Sequence, residues 1–138
     1  MNGYAGRLAV EKNVHFLPRI EDALIAAGIS NFRFLIVGDG NERDRLGAEM
    51  KHAVLPGVPR GESLAEAYAN MDIFVFPSRT DTFGNVVLEA LASGVPAVVT
   101  ANSGGKFIVR SGETGFIAQT DSAFLRCVLE LTRDRVLA

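Results

Sequence analysis

The residues best placed by type to do chemistry lie in Pro77-Ser78-Arg79-Thr80-Asp81-Thr82-Phe83-Gly84-Asn85-Val86-Val87-Leu88-Glu89. The stretch follows an apolar run that ends at Phe76, and its polar part leads into a helical pattern opening at Gly84 or Asn85. The first-turn N–H groups of such a helix have no partners within it and, with the helix dipole, form an anion site. Gly84 lets a ligand approach that backbone closely. Asp81 stands in the loop and Glu89 about one turn into the helix, so two carboxylates flank a phosphate-sized space. Carboxylates are poor partners for phosphate but good acceptors for sugar hydroxyls, so the combination suits a ligand that carries both. The alternative is that Thr82 caps the helix and Glu89 lines an exposed face.

A second set lies near the start of the chain, in Gly6-Arg7-Leu8-Ala9-Val10-Glu11-Lys12-Asn13. With Arg7 after a strand end and Lys12 opening a helix, both cations reach one sheet edge and can clamp a pyrophosphate. The alternative is ordinary surface charge. Gly38-Asp39-Gly40 invites a dinucleotide reading, but Arg43 stands where the fingerprint needs its third glycine. The two glycines read instead as a tight turn that opens space at a pocket rim. His15 and His52 have no second ligand at metal spacing, and Ser78 and Ser103 lack the context of a hydrolase nucleophile. No Asp-x-Asp pair occurs, and Cys127 reads as half-buried filling in a helix.

The elements that must position these residues alternate. Phe32–Val37 and Asp72–Phe76 are short, β-branched or aromatic and apolar on both faces at their centres, the composition of buried parallel strands. Pro96–Thr100, Ala53–Leu55 and Gly115–Ala118 are further candidates, and Met1–Gly6 holds the remains of another. Helical patterns run from about Val14 to Ala27, Asn41 to His52, Glu62 to Asn70, Gly84 or Asn85 to Ser93 with Gly94 as cap, and Ser122 to Leu137. Strand and helix alternating through short loops predict a doubly wound, mostly parallel α/β fold, with ligands beyond the carboxyl ends of the strands.

The 138 residues fit one domain. Hydrophobic residues make up 48% and charged residues 22%, which excludes a disordered or fibrous chain. With 14 basic and 16 acidic residues the net charge is −2, so no nucleic-acid partner is expected and any anion site must be local. A single cysteine rules out a disulfide framework and, with no apolar signal core in Met1–Arg7, points to the cytoplasm. No stretch reads as a membrane span.

Taken in order, these segments resemble the C-terminal domain of retaining GT-B glycosyltransferases of family 4, the group 1 glycosyl transferases. The likeness runs through Gly6-Arg7-Leu8, Glu11-Lys12-Asn13, Phe34–Gly40, Leu64–Tyr68 before Asp72–Ser78, Asp81–Pro96 and Gly112–Phe116, and the block around Glu89 is its most specific part. The resemblance implies a Rossmann-like donor-binding half that takes a hexose from a nucleoside diphosphate sugar and passes it to an acceptor hydroxyl with retention. Arg7 and Lys12 would hold the departing diphosphate, and the N–H groups of Phe83, Gly84, Asn85 and Val86 would bind the phosphates or the sugar. Glu89 would accept from the ribose. Asp81, where the family has a glutamate, would touch the transferred sugar. Val58, Pro59 and Arg60 would lie against the base, beside the rim that the tight turn at Gly38 is already expected to open. No metal or other cofactor is expected. The partners implied are a nucleotide sugar and an N-terminal acceptor domain absent from residues 1–138, through which alone the parent would meet a membrane. The isolated chain is expected to be inactive. The alternative is a stand-alone module that binds a nucleotide or phosphosugar without catalysis.

Overall fold

The structure, a computed structural model, describes residues 1–29, 31–79, 85–101, 109 and 113–137, excepting the side chains of Asn85 and 134–137. The elements run β1 (Asn2–Ala5), α1 (Phe16–Ala26), β2 (Phe34–Val37), α2 (Arg43–Glu49), β3 (Ala53–Gly57), α3 (Glu62–Ala69), β4 (Ile73–Phe76), α4 (Asn85–Ala92), β5 (Ala97–Thr100), β6 (Gly115–Ala118) and α5 (Asp121–Leu137). The six strands form one parallel sheet in the order β3-β2-β1-β4-β5-β6. The chain winds outward from β1 to β3, returns to β4 beside β1, and winds outward again. Right-handed crossovers then put α1 and α2 on one face and α3 and α4 on the other. The fold is the doubly wound α/β arrangement that the alternation predicts.

Hydrophobic burial explains the centre of the sheet. Every residue of β1, β4 and β5 is buried, as strands covered on both faces require. The edge strand β3 alternates instead, with Val54 and Pro56 exposed. It runs to Gly57, two residues beyond the expected end, because an edge strand tolerates the missing N–H of Pro56. Phe74 and Phe76 stack at 5.9 Å, and Tyr4 lies 6.0 Å from Phe76. α5 crosses β4, β5 and β6 and meets α1, where Phe16 and Phe124 pack edge to face at 5.3 Å.

Three local differences from the sequence pattern have physical causes. Lys12 does not open a helix. It closes a 3-10 turn, Val10–Lys12, which Asn13 ends in the left-handed region at φ 57°, and α1 begins only at Phe16. Pro18 is the third residue of α1, where its missing N–H would have had no intrahelical partner. α2 stops at Glu49 rather than running to His52. The buried carboxylate of Glu21 accepts the N–H groups of Lys51 and His52 at 3.2 and 3.0 Å, which turns the chain into β3.

At the carboxyl edge the loops after β1 and β2 lie backbone to backbone. The Gly6 N–H donates to Val37 O, the Leu8 N–H to Asp39 O and the Glu42 N–H to Leu8 O, all at 3.0 Å. A Cβ on Gly38, at φ +146°, would stand 1.8 Å from Gly6 O, and one on Gly40, at φ +157°, 2.2 Å from Leu8 O. Substitution therefore has opposite signs at two glycines. Gly38→Ala is expected to cost about 2 kcal/mol or more through strain and overlap. Gly47→Ala, within α2 and facing open space, is expected to stabilise by about 0.5–1 kcal/mol. Urea unfolding of the two variants checks both.

Candidate functional site

The strand order reverses between β1 and β4, and a crevice opens there beyond the strand ends. A cleft of about 290 Å³ occupies it. Ala5, Gly6 and Arg7 form one wall and Val37, Gly38 and Asp39 its base, with Val58 and Pro59 beside them. The opposite wall comes from α3 through Leu64 and Tyr68, and from α4 through Val86 and Glu89. The cleft is thus apolar along its sides and charged at Arg7, Asp39 and Glu89. Such a lining offers apolar surface beside one cation and two carboxylates.

Two buried tyrosines hold the charged residues. The Tyr4 hydroxyl donates to Arg7 O at 3.0 Å, which fixes the backbone at the cleft lip while the guanidinium stays exposed, 4.0 Å from Glu11. The Tyr68 hydroxyl donates to Glu89 Oε2 at 2.7 Å. Burial, then the hydrogen bond and the charge of Glu89, raise the Tyr68 pKa far above the ordinary tyrosine value, so the phenol remains a donor.

The strand-end loop Pro77-Ser78-Arg79 is tied from three elements. Asn13 Nδ2 donates to Pro77 O at 3.1 Å, and Thr100 Oγ1 donates to Ser78 O at 2.6 Å. Arg79 pairs with Asp121 at the start of α5, which Arg19 of α1 also meets at 3.2 Å. The next described element is α4. That helix begins at Asn85, so its first-turn N–H groups face the carboxyl edge of the sheet.

Of the site residues expected from the sequence, Arg7, Gly38, Val58, Pro59, Val86 and Glu89 come together on the cleft. Lys12 and Arg60 do not line it, Lys12 being half-buried beside the turn and Arg60 exposed. Asp81, Phe83 and Gly84 lie outside the described residues, as does the side chain of Asn85. Tyr4 and Tyr68 are not flagged by residue spacing, because each bonds a cleft residue through a hydroxyl whose partner only the fold supplies. Cys127 is half-buried, and burial with Glu130 nearby raises its thiol pKa against the opposing effect of Arg126. Among the described residues no helix is long and apolar enough to cross a membrane.

A family model described as "Glycosyl transferases group 1" matches residues 2–134. A GDP-mannose-dependent alpha-mannosyltransferase of Mycobacterium tuberculosis (strain CDC 1551 / Oshkosh) is 44% identical over 115 residues, covering 83% of this chain and 29% of that protein. A protein of the same name from Mycolicibacterium smegmatis is 37% identical over 136 residues, covering 99% of this chain and 34% of its own length. Among solved structures, the sucrose-phosphate synthase of Thermosynechococcus elongatus matches with a TM-score of 0.81 at 27% identity, over 98% of this chain and 36% of that one. The chain spans about a third of the length of the relatives it matches.

Two measurements test the supports of the cleft. Asn13→Gly keeps the left-handed backbone but removes the bond to Pro77, and is expected to lower stability by about 1 kcal/mol in urea unfolding. For Tyr68 the folded pKa is raised, so its contribution to stability is complete below the ordinary value of 10.0 and is lost as pH rises above it. The stability advantage of the wild type over Tyr68→Phe is therefore expected to shrink above pH 10.0 and to be constant around neutrality.

Proposed function

The chain belongs to the group 1 glycosyl transferases, and we propose that it is the donor-binding part of an enzyme that transfers a hexose from a nucleoside diphosphate sugar to an acceptor hydroxyl with retention. The observation that carries this reading is the cleft at the β1/β4 reversal, which gathers Arg7, Gly38 and Glu89 on one apolar slot. The base lies against the loop of Val58, Pro59 and Arg60, and the ribose hydroxyls donate to Glu89. The diphosphate is met by Arg7, Lys12 and the N–H groups from Phe83 to Val86, and Asp81 accepts from the hydroxyls of the transferred sugar. Guanine is proposed as the base because the two mannosyltransferase relatives are named for GDP-mannose.

In the proposed reaction the bond between the anomeric carbon and the diphosphate oxygen breaks first. The electron pair leaves with the diphosphate, and the two cations and the helix N–H groups stabilise the charge that develops there. The acceptor oxygen then bonds to the oxocarbenium-like carbon from the face just vacated, and its proton passes to the departing phosphate oxygen. The proposal assigns the diphosphate charge to protein donors and places no metal ion in the site. The acceptor is proposed to sit on a further domain of the enzyme, opposite this cleft.

Calorimetric titration with GDP, UDP and ADP tests the reading, with GDP expected to bind most tightly. Binding of none of the three would overturn it. Arg7→Ala or Lys12→Ala is expected to weaken GDP by roughly 10- to 150-fold, the range of one charge-assisted contact, and GMP by less. Equal losses for both ligands would remove these residues from the outer phosphate. Asp81→Asn is expected to leave GDP affinity unchanged and to weaken only the sugar-bearing donor.

A further inference from the structure

Glu89 is an exposed residue on a helix, and such a side chain ordinarily samples many rotamers. Here it is pinned from the neighbouring helix. Tyr68 stands in the last turn of α3, only 3% exposed, with its ring tilted 46° against Phe74 at a centroid distance of 6.1 Å. From that fixed ring the hydroxyl reaches Glu89 Oε2 at 2.7 Å. Both side chains border the same cleft. The bond leaves Glu89 Oε1 with its full accepting capacity and restricts where that oxygen can point. A carboxylate already held in place loses less freedom when a ligand binds, which is how preorganisation gains affinity and selectivity.

We propose that Tyr68 is a positioning residue for ribonucleotide recognition: its hydroxyl holds one oxygen of Glu89 so that the other meets the vicinal diol of the ribose. The inference rests on the reading of Glu89 as the ribose acceptor. It also couples two parts of the ligand. α3, which carries Tyr68, follows directly from the Val58–Arg60 loop that the base lies against, so the element set by the base also sets the ribose acceptor.

The test is calorimetric titration of the full chain with GDP and with 2′,3′-dideoxy-GDP, in the wild type, Tyr68→Phe, Glu89→Ala and the double variant, with thermal unfolding of each. Phenylalanine keeps the ring against Phe74 and removes only the hydroxyl. The wild type is expected to prefer GDP by about tenfold or more, the size of a charge-assisted hydrogen bond, and Tyr68→Phe to lower that preference by about threefold. The dideoxy nucleotide should bind both proteins equally. In the Glu89→Ala background, Tyr68→Phe should change the preference no further, because the tyrosine acts through the carboxylate. A Tyr68→Phe protein that melts earlier but keeps the full preference would make Tyr68 a packing residue and overturn the inference, with the ribose reading of Glu89 intact. A wild type that binds the two nucleotides equally would overturn that reading and the inference together.

Discussion

The carboxyl edge of this sheet is held by peptide groups in direct contact. The turn after β2 presses against the turn after β1 so closely that no side chain fits at Gly38 or Gly40. Three hydrogen bonds at 3.0 Å and one at 2.8 Å, from the Gly38 N–H to Gly57 O, close the seam across β1, β2 and β3. Buried peptide groups must find partners, and here they find them in one another. The floor of the cleft is therefore rigid backbone, and Arg7 and Asp39 stand on it as side chains whose origins are fixed.

The loop after β4 is held by side chains instead. Asn13, Thr100 and Asp121, from three separate elements, take hold of successive residues of the loop after β4. Asn13 adopts the left-handed conformation that brings its amide across the reversal point to Pro77. One wall of the cleft is thus set by close peptide packing, and on the opposite wall α3 and α4 are joined through Tyr68 and Glu89.

Much of the architecture was legible in the residues because burial writes itself into composition. The apolar runs of β2 and β4 and the glycine and proline after α4 each carry a local cause. The end of α2 was not legible, since the carboxylate that stops it comes from Glu21 on α1. The late start of α1 was hidden for a similar reason, since Asn13 is rewarded for its backbone angle by a contact with Pro77. At the cleft, Arg7 and Glu89 stood out by residue type and position and by the family resemblance, whereas Tyr4 and Tyr68 carry no local signal of their contacts. Their rings are core, and only the hydroxyls are committed to the cleft. Lys12 was expected to open a helix but closes a 3-10 turn, and Arg60 was carried by the resemblance alone; neither lines the cleft.

The reversal of strand order also marks a seam in time. Every other strand contact in the sheet joins neighbours in the local winding, but β1 meets β4 by pairing Asn2 with Ile73 across half the chain. Closing that loop costs more chain entropy than closing any other pairing of the sheet, and non-local pairing slows folding. Two β-α-β halves, β1 to β3 and β4 to β6, can each gather locally and then dock along β1 and β4. The crevice is the line along which those halves join, so a ligand bound in it would touch both and favour their docked arrangement.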